Sequence, residues 1–109
     1  MSLSKSDDFI ADIERQFESY VREAGWKVAE GYLAAVEATC RLLEKHPQMG
    51  PVGRFTHARL RQWRFFVLLR PFNQHLVFYE VAGGNVIMRR AMHGRRNLPR
   101  RLLEPPTSG

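Results

Sequence analysis

Hydrophobic side chains recur at three- and four-residue intervals through the first 45 residues, which is the period of an amphipathic helix. The first stripe consists of Phe9, Ile10, Ile13, Phe17, Tyr20, Val21 and Ala24. Ser6 and Asp7 are suitable N-caps for a helix that begins near Asp8, and Gly25 ends it. The second stripe consists of Ala29, Tyr32, Leu33, Val36, Cys40 and Leu43, and it stops at His46-Pro47 because proline has no backbone N–H to donate. Two helices with one short break predict an antiparallel helical hairpin.

The pattern changes in the second half of the chain. Residues 46–55 contain two prolines and two glycines, which predicts a loop. The run from Trp63 to Leu69 is rich in aromatic and β-branched residues and predicts a strand, although so continuous an apolar run also fits a buried helix. Residues 75–81 and 86–92 predict two strands that flank a Gly83-Gly84 turn. Residues 98–103 predict one helical turn, followed by a frayed tail at 104–109.

This order of elements predicts an α+β fold. An N-terminal antiparallel helical hairpin would pack on a small antiparallel β-sheet. At 109 residues the chain is expected to form one domain, 1–109, with its core at about 8–103.

The glycine turn sets a register for the last two strands. On one face, Val81 would oppose Val86, Tyr79 would oppose Met88 and Val77 would oppose Arg90. On the other face the pairs would be Glu80 with Ile87, Phe78 with Arg89 and Leu76 with Ala91. Arg89 and Arg90 would therefore point to opposite faces, and a one-residue slip would exchange them. An ion pair between Arg89 and Glu80 is an alternative to a role for Arg89 at the surface.

Charge is divided unevenly along the chain. Residues 1–50 carry 6 Lys and Arg against 9 Asp and Glu, whereas residues 51–109 carry 11 Arg against 2 Glu and no Lys. Arginine binds phosphate and carboxylate groups bidentately, so the basic half predicts an anionic partner. A solvated basic surface without a dedicated partner remains the alternative.

Other features exclude several classes of protein. The single cysteine, Cys40, lies on an apolar helical stripe and is expected in the core. The four histidines, His46, His57, His75 and His93, lack close ligand spacing, so neither a metal nor a cofactor is predicted. Trp63, Phe65, Phe66, Phe72 and Phe78 are expected in the core rather than as base-stacking surfaces. The sequence contains neither a signal peptide nor an apolar run near 18 residues, and a cytoplasmic location is expected.

Several motifs together resemble a known family. Leu60-Arg61-Gln62-Trp63, the run Arg70-Pro71-Phe72-Asn73-Gln74-His75-Leu76-Val77-Phe78-Tyr79 and the run from Arg89 to Pro99 resemble the RelE/ParE toxins of type II toxin–antitoxin (plasmid stabilisation) systems. Residues 29–39 and 42–50 are similar to the second helix and the His-Pro-x-Met-Gly loop of the ParE-like branch. The resemblance covers roughly residues 9–103.

The resemblance implies a fold, a partner and two alternative activities. Members pack two helices against an antiparallel sheet and are neutralised by a cognate antitoxin. ParE-like members inhibit DNA gyrase by binding it, whereas RelE-like members cleave mRNA in the ribosome. Members usually begin with a β-strand, and here only residues 1–5 precede the first helix. That strand is therefore expected to be absent or vestigial, which would leave a sheet edge bare and allow a homodimer. Asn97 also replaces the usual Asp of the C-terminal motif.

The charge distribution and the family resemblance together give the candidate site residues. If the protein is a nuclease, Arg61, Arg90 and Arg96 would supply the cations and His93 the acid or base. The lysines and C-terminal tyrosine of RelE-like sites are missing, so a binding toxin is favoured over an enzyme. The expected target-binding residues are Arg61, Arg89, Arg90, Arg95, Arg96, Arg100 and Arg101. A non-toxic remnant that only binds a partner is a further alternative.

Overall fold

The computed structural model describes residues 2–106, which form three helices, a short 3₁₀ turn and four strands. In chain order these are β1 (Leu3–Lys5), α1 (Asp7–Ala24), α2 (Trp26–Lys45), the 3₁₀ turn (Ala58–Leu60), β2 (Arg64–Val67), β3 (His75–Ala82), β4 (Asn85–His93) and α3 (Leu98–Leu103). The predicted helices, strands and C-terminal helical turn are all confirmed. Residues 107–109 of the predicted frayed tail lie outside the described residues.

The ends of α1 follow from local chemistry. The Ser6 hydroxyl accepts a hydrogen bond from the backbone N–H of Phe9 at 3.1 Å, and Asp7 and Asp8 place negative charge in the first turn. Gly25 separates the two helices with φ +91°, a conformation that residues with a side chain rarely adopt. The predicted N-cap and the glycine break are therefore both confirmed.

The four strands form one sheet in the order β1-β4-β3-β2. The β2–β3 and β3–β4 pairs are antiparallel, whereas β1 runs parallel to β4, so the sheet is mixed rather than antiparallel throughout. The first strand is vestigial, as expected, with three residues that pair with Val86, Ile87 and Met88.

The expectation of a bare sheet edge is wrong, because the start of α1 covers β4 beyond β1. The backbone N–H of Ser6 donates to the carbonyl of Met88, and the Ser6 hydroxyl donates to the carbonyl of Arg89. The carboxylate of Asp12 then accepts the backbone N–H of Ala91 at 2.9 Å. Pairing of two copies through this edge would have to displace these contacts.

Both faces of the sheet are covered. The helix-facing cluster includes Phe9, Tyr32, Leu43, Val77 and Tyr79, and Cys40 is buried in it as predicted. The opposite face is closed by the 3₁₀ turn and α3, whose Leu60 and Leu102 join Trp63, Leu76 and Phe78 in a second cluster. All five aromatic residues expected in the core lie in or against one of these clusters.

The β3–β4 hairpin departs from its predicted register at one point. Val81, Glu80 and Tyr79 oppose Val86, Ile87 and Met88 as predicted, and Gly83 and Gly84 make the turn with φ +57° and +80°. A β-bulge between Tyr79 and Phe78 then inserts one extra residue into β4, so Phe78 opposes Arg90 instead of Arg89. The predicted pairs of Phe78 with Arg89, Val77 with Arg90 and Leu76 with Ala91 are therefore wrong, because Val77 opposes Ala91 and Leu76 opposes Met92.

Candidate target-binding surface and cationic pocket

Arg89 forms an ion pair on the sheet. Its Nε lies 2.8 Å from Oε1 of Glu80, and the Trp63 indole N–H donates to the same oxygen at 2.8 Å. The side chain of Arg89 is still 36% exposed. The alternative that Arg89 pairs with Glu80 is thus confirmed, and only part of its guanidinium faces solvent.

Arg90 is buried, with 4% of its side chain exposed, and it forms a bidentate pair with Asp12 of α1. Its Nε lies 2.7 Å from Oδ2 of Asp12 and its Nη2 lies 3.1 Å from Oδ1. The bulge places Arg90 at the part of β4 that α1 crosses, and the second hydrogen bond to Oδ2 comes from the Ala91 amide. Two-point geometry in a buried setting makes this the strongest charged contact of the described residues.

The same arginine holds the C-terminal segment. Its Nη1 donates to the backbone carbonyls of Leu102 at 3.0 Å, Glu104 at 2.6 Å and Arg101 at 3.3 Å. The segment is further attached through the carbonyl of Pro106, which is buried and accepts a hydrogen bond from Arg15. Arg90 therefore joins α1, β4 and the tail, and its guanidinium is taken up by these internal contacts. The expectation that it contacts a target directly has no support from this position.

A titratable cluster lies at the ends of β3 and β4. Nε2 of the buried His75 lies 2.7 Å from the hydroxyl of Tyr20, and the ring centroids of His75 and His93 are 4.6 Å apart in an edge-to-face contact. Burial, and then the charge of His93, lower the pKa of His75 to about 4. His75 is therefore neutral at pH 7, while His93 is exposed.

These histidines form the floor of a cavity of about 360 Å³. One wall is α1, which contributes Asp12, Arg15, Gln16, Ser19 and Arg22, and the other wall is the C-terminal segment with Arg101, Glu104, Pro105 and Pro106. We refer to this cavity as the cationic pocket. Its arginines outnumber its carboxylates, and one of those carboxylates, Asp12, is already paired with Arg90.

The other expected target-binding residues lie on or beside the 3₁₀ turn and α3. Arg61, Arg95, Arg96 and Arg100 are exposed, with the side chain of Arg100 81% exposed. Arg61 follows the 3₁₀ turn, and Arg100 belongs to α3; both elements pack on the same sheet face through the cluster of Leu60 and Leu102. Arg101 is instead half-buried, and its guanidinium donates to the carbonyls of Arg96 and His93 at 3.1 and 2.9 Å. We refer to Arg61, Arg95, Arg96 and Arg100 as the basic face.

The candidate nuclease residues do not converge on one point. Arg90 is occupied by Asp12 and by three carbonyls, and His93 lines the cationic pocket without Arg61 or Arg96 among the lining residues. Sequence reasoning missed the edge-to-face contact of His93 with His75 and the hydrogen bond between His75 and Tyr20. Tyr20 could be read from the sequence only as a member of the core stripe, because its hydroxyl meets a histidine 55 residues away.

A second, apolar cavity of about 240 Å³ lies between the two long helices near β1. Its lining is formed by Lys5, Phe9, Ile10, Ile13, Glu14, Leu33, Val36 and Glu37. The Lys5 ammonium and the Glu37 carboxylate form an ion pair of 2.6 Å at its rim. Ile10 is 42% exposed, so this groove presents apolar surface to solvent. We refer to it as the helical groove.

Residues 2–106 show neither a metal site nor a membrane-spanning helix. No group of three or more His, Cys, Asp or Glu side chains among them is placed to hold a metal ion. Within the same range, none of the helices has the length and apolar character needed to span a lipid bilayer.

The comparison with sequence families and the comparison with solved structures agree with each other. The sequence model of the family described as the ParE toxin of type II toxin-antitoxin system, parDE, matches residues 3–98. Among solved structures, the chain is similar to one from the chromosomal ParDE TA system from P. aeruginosa, with a TM-score of 0.71 and 18% sequence identity. The alignment covers 87% of this chain and 97% of that one, and at this identity it shows the shared fold. No curated protein sequence matches the chain.

Proposed function

The chain belongs to the ParE toxin family of type II toxin–antitoxin systems, whose model spans residues 3–98, and we propose that it acts by binding DNA gyrase through its basic face. Membership of such a system implies an antitoxin partner. The observation that supports direct binding to a target is that Arg61, Arg95, Arg96 and Arg100 are exposed on or beside the 3₁₀ turn and α3, which cover one face of the sheet. A gyrase inhibitor acts in the cytoplasm, where gyrase and DNA are found.

Binding rather than catalysis is favoured by how the charged groups are used. Arg90, the most central cation of the nuclease set, is neutralised by Asp12 and holds the tail. His75 is neutral at pH 7 and its Nε2 is engaged by Tyr20. The arginines that remain exposed are suited to a charge-complementary protein or DNA surface, where they would accelerate association and contribute contacts at the rim.

The test is expression in a bacterial host combined with a gyrase assay in vitro. Purified protein is mixed with gyrase and supercoiled DNA, and linear DNA is scored after denaturation of the enzyme. The wild-type chain should arrest growth, induce the DNA-damage response and trap cleaved DNA. The Arg96→Ala/Arg100→Ala double variant should need roughly ten-fold more protein for the same cleavage, since two lost contacts of up to about 1 kcal/mol each bracket the ~1.4 kcal/mol of a ten-fold change.

A matched control is Arg41→Ala, which removes an exposed arginine from α2, on the other side of the sheet. It should leave gyrase poisoning unchanged. Growth arrest with intact DNA and codon-phased cleavage of mRNA would contradict the proposal in favour of a ribosome-dependent nuclease. Absence of growth arrest from a folded chain would indicate a remnant that only binds a partner.

For the antitoxin, we propose the helical groove as the docking site. An amphipathic helix could place apolar side chains against Ile10, Ile13 and Leu33 and position its charges beside Lys5 and Glu37. Ile10→Glu should weaken capture of the antitoxin encoded beside the gene without unfolding the toxin, because Ile10 is already 42% exposed. Leu69→Glu is the matched control, since Leu69 is 45% exposed and lies outside the groove. Equal effects of the two substitutions would contradict this assignment.

A further inference from the structure

The cationic pocket is not used by the basic face or by the helical groove, and its chemistry points to a ligand of its own. Its volume of about 360 Å³ lies within the range of small-molecule sites, and α1, the sheet ends and the C-terminal segment enclose it from three sides. We propose that the cationic pocket binds a phosphate monoester. This inference does not depend on the identity of the toxin's target.

Charge is the first argument. Four arginines line the pocket, Arg15, Arg22, Arg90 and Arg101, against the carboxylates of Asp12 and Glu104. Asp12 is bound bidentately by Arg90, and the Glu104 carboxylate lies 3.7 Å from Arg100. Arg22 and Arg101 therefore bring two positive charges to the pocket for which the structure shows no ion pair with either carboxylate of the described lining. A cavity with this excess attracts an anion and disfavours a cation.

The second argument concerns hydrogen-bond donors. The Arg22 guanidinium makes no hydrogen bond or ion pair with any of the residues 2–106 for which the structure gives contacts, so all five of its N–H groups are available. Arg101 donates only to the backbone carbonyls of Arg96 and His93, which fix its orientation but carry no net charge. Both guanidinium groups therefore keep their full charge, and Gln16 and Ser19 add neutral polar groups on the same helix face.

The third argument selects the monoester. A phosphate monoester presents three terminal oxygens and up to two negative charges, which two guanidinium groups can hold bidentately. Exposed His93 at the pocket floor can donate a further hydrogen bond. A nucleic acid strand would instead need a series of cations along an open groove, whereas these cations converge on one cavity whose far wall is Pro105 and Pro106. The exposed ring of His93 offers a surface for a planar substituent on the ester.

Histidine proton resonances in the full-length chain provide a direct readout, because two of the four histidines line the pocket and two do not. Inorganic phosphate and adenosine 5′-monophosphate are titrated separately at constant pH and at an ionic strength held with chloride. We expect saturable shifts of the His75 and His93 resonances with constant His46 and His57 resonances. Tighter binding of adenosine monophosphate than of phosphate would support a nucleotide as the source, and equal binding would support recognition of the phosphate group alone.

Two variants and one control make the test decisive. Arg22→Ala should weaken binding at least about ten-fold without affecting the fold, because its guanidinium has no partner among the described residues. Arg101→Ala should weaken binding similarly, and a melting curve would confirm that the tail stays docked. Arg41→Ala removes the same charge outside the pocket and should leave the dissociation constant unchanged. Shifts that rise linearly without saturation, or equal weakening by Arg22→Ala and Arg41→Ala, would overturn the proposal. So would a short RNA that saturates the same resonances at lower concentration than either monoester, since that would indicate a polymer site.

Discussion

Replacing Asp12 with Asn tests the view that one buried ion pair holds three parts of the fold together. The substitution keeps the shape of the side chain and removes its charge. Arg90 would then remain 4% exposed and positively charged, with only backbone carbonyls as acceptors of full strength. The NH₂ group of the new side-chain amide would also face another donor, either the Arg90 guanidinium or the Ala91 N–H.

The expected magnitude follows from these contacts. Removing one partner of a buried pair typically costs about 3–5 kcal/mol, because the other charge is left without compensation. In a domain of this size, each kilocalorie lowers the melting temperature by roughly 4–8 °C, so Asp12→Asn should lower it by at least about 12 °C. The C-terminal segment should also become more sensitive to proteases, since Arg90 holds it by three carbonyls.

Chemical and thermal unfolding of matched variants provide the measurement. Glu37→Gln breaks the Lys5–Glu37 pair, which has a similar distance of 2.6 Å but side chains that are 33% and 51% exposed. It should cost less than about 1 kcal/mol, because solvent already screens the pair. The double variant Asp12→Leu/Arg90→Met should recover most of the stability lost in Asp12→Asn. A loss below about 1 kcal/mol for Asp12→Asn, equal to that of Glu37→Gln, would refute the reasoning.

Three further predictions concern single positions. His75 has a pKa of about 4 in the folded state against about 6.5 in the unfolded chain, so the unfolded state binds more protons between these pH values. The free energy of unfolding should therefore fall by roughly 3 kcal/mol as the pH drops from 6.5 to 4. Urea unfolding should show a smaller fall over this pH range for His75→Gln than for the wild type, and an unchanged fall for His46→Gln. Gly31→Ala should stabilise the protein by about 0.5–1 kcal/mol, because Gly31 lies within α2 and the new methyl group would be 3.5 Å from the Phe72 ring, an ordinary contact distance. Gly50→Ala should destabilise the protein, because its methyl group would approach the Tyr79 hydroxyl to 2.7 Å. Thermal melts of the two variants should therefore shift in opposite directions. Ser6→Ala should cost about 1 kcal/mol by removing the N-cap of α1, and a loss of thermal stability near zero would show that the cap contributes nothing.

Much of the fold could be predicted because it depends on local signals. The helical stripes, Gly25 and the Gly83-Gly84 turn fixed α1, α2 and the β3–β4 hairpin, and the first three residue pairs from the turn were correct. The prediction failed where the bulge begins, because nothing in the alternation of Phe78, Tyr79 and Arg89 indicates an extra residue. A bulge is selected by what its side chains meet in the folded state, and here that is Glu80 for one arginine and Asp12 for the other.

The candidate site was predicted less completely than the fold. The sequence identified the arginine-rich half and the motifs of the family, so the basic face could be anticipated in part. It did not separate Arg90 from Arg89, Arg96 or Arg100, because all four carry the same charge within a short segment. Their roles differ only through their neighbours: one is buried, one is paired on the sheet and two are exposed.

The sequence by itself determined the α+β class, the order of its elements, the burial of Cys40 and the excess of arginine in the second half, since these depend on periodicity, composition and turn residues. Only the tertiary structure decided that Asp12 would meet Arg90 across 78 positions of sequence and that the two histidines would lie at the floor of a cavity. Hydrophobic periods are read within one element, where neighbours three or four residues apart share a face. A buried ion pair depends on which elements are adjacent after packing, and one inserted residue in β4 is enough to change its partners.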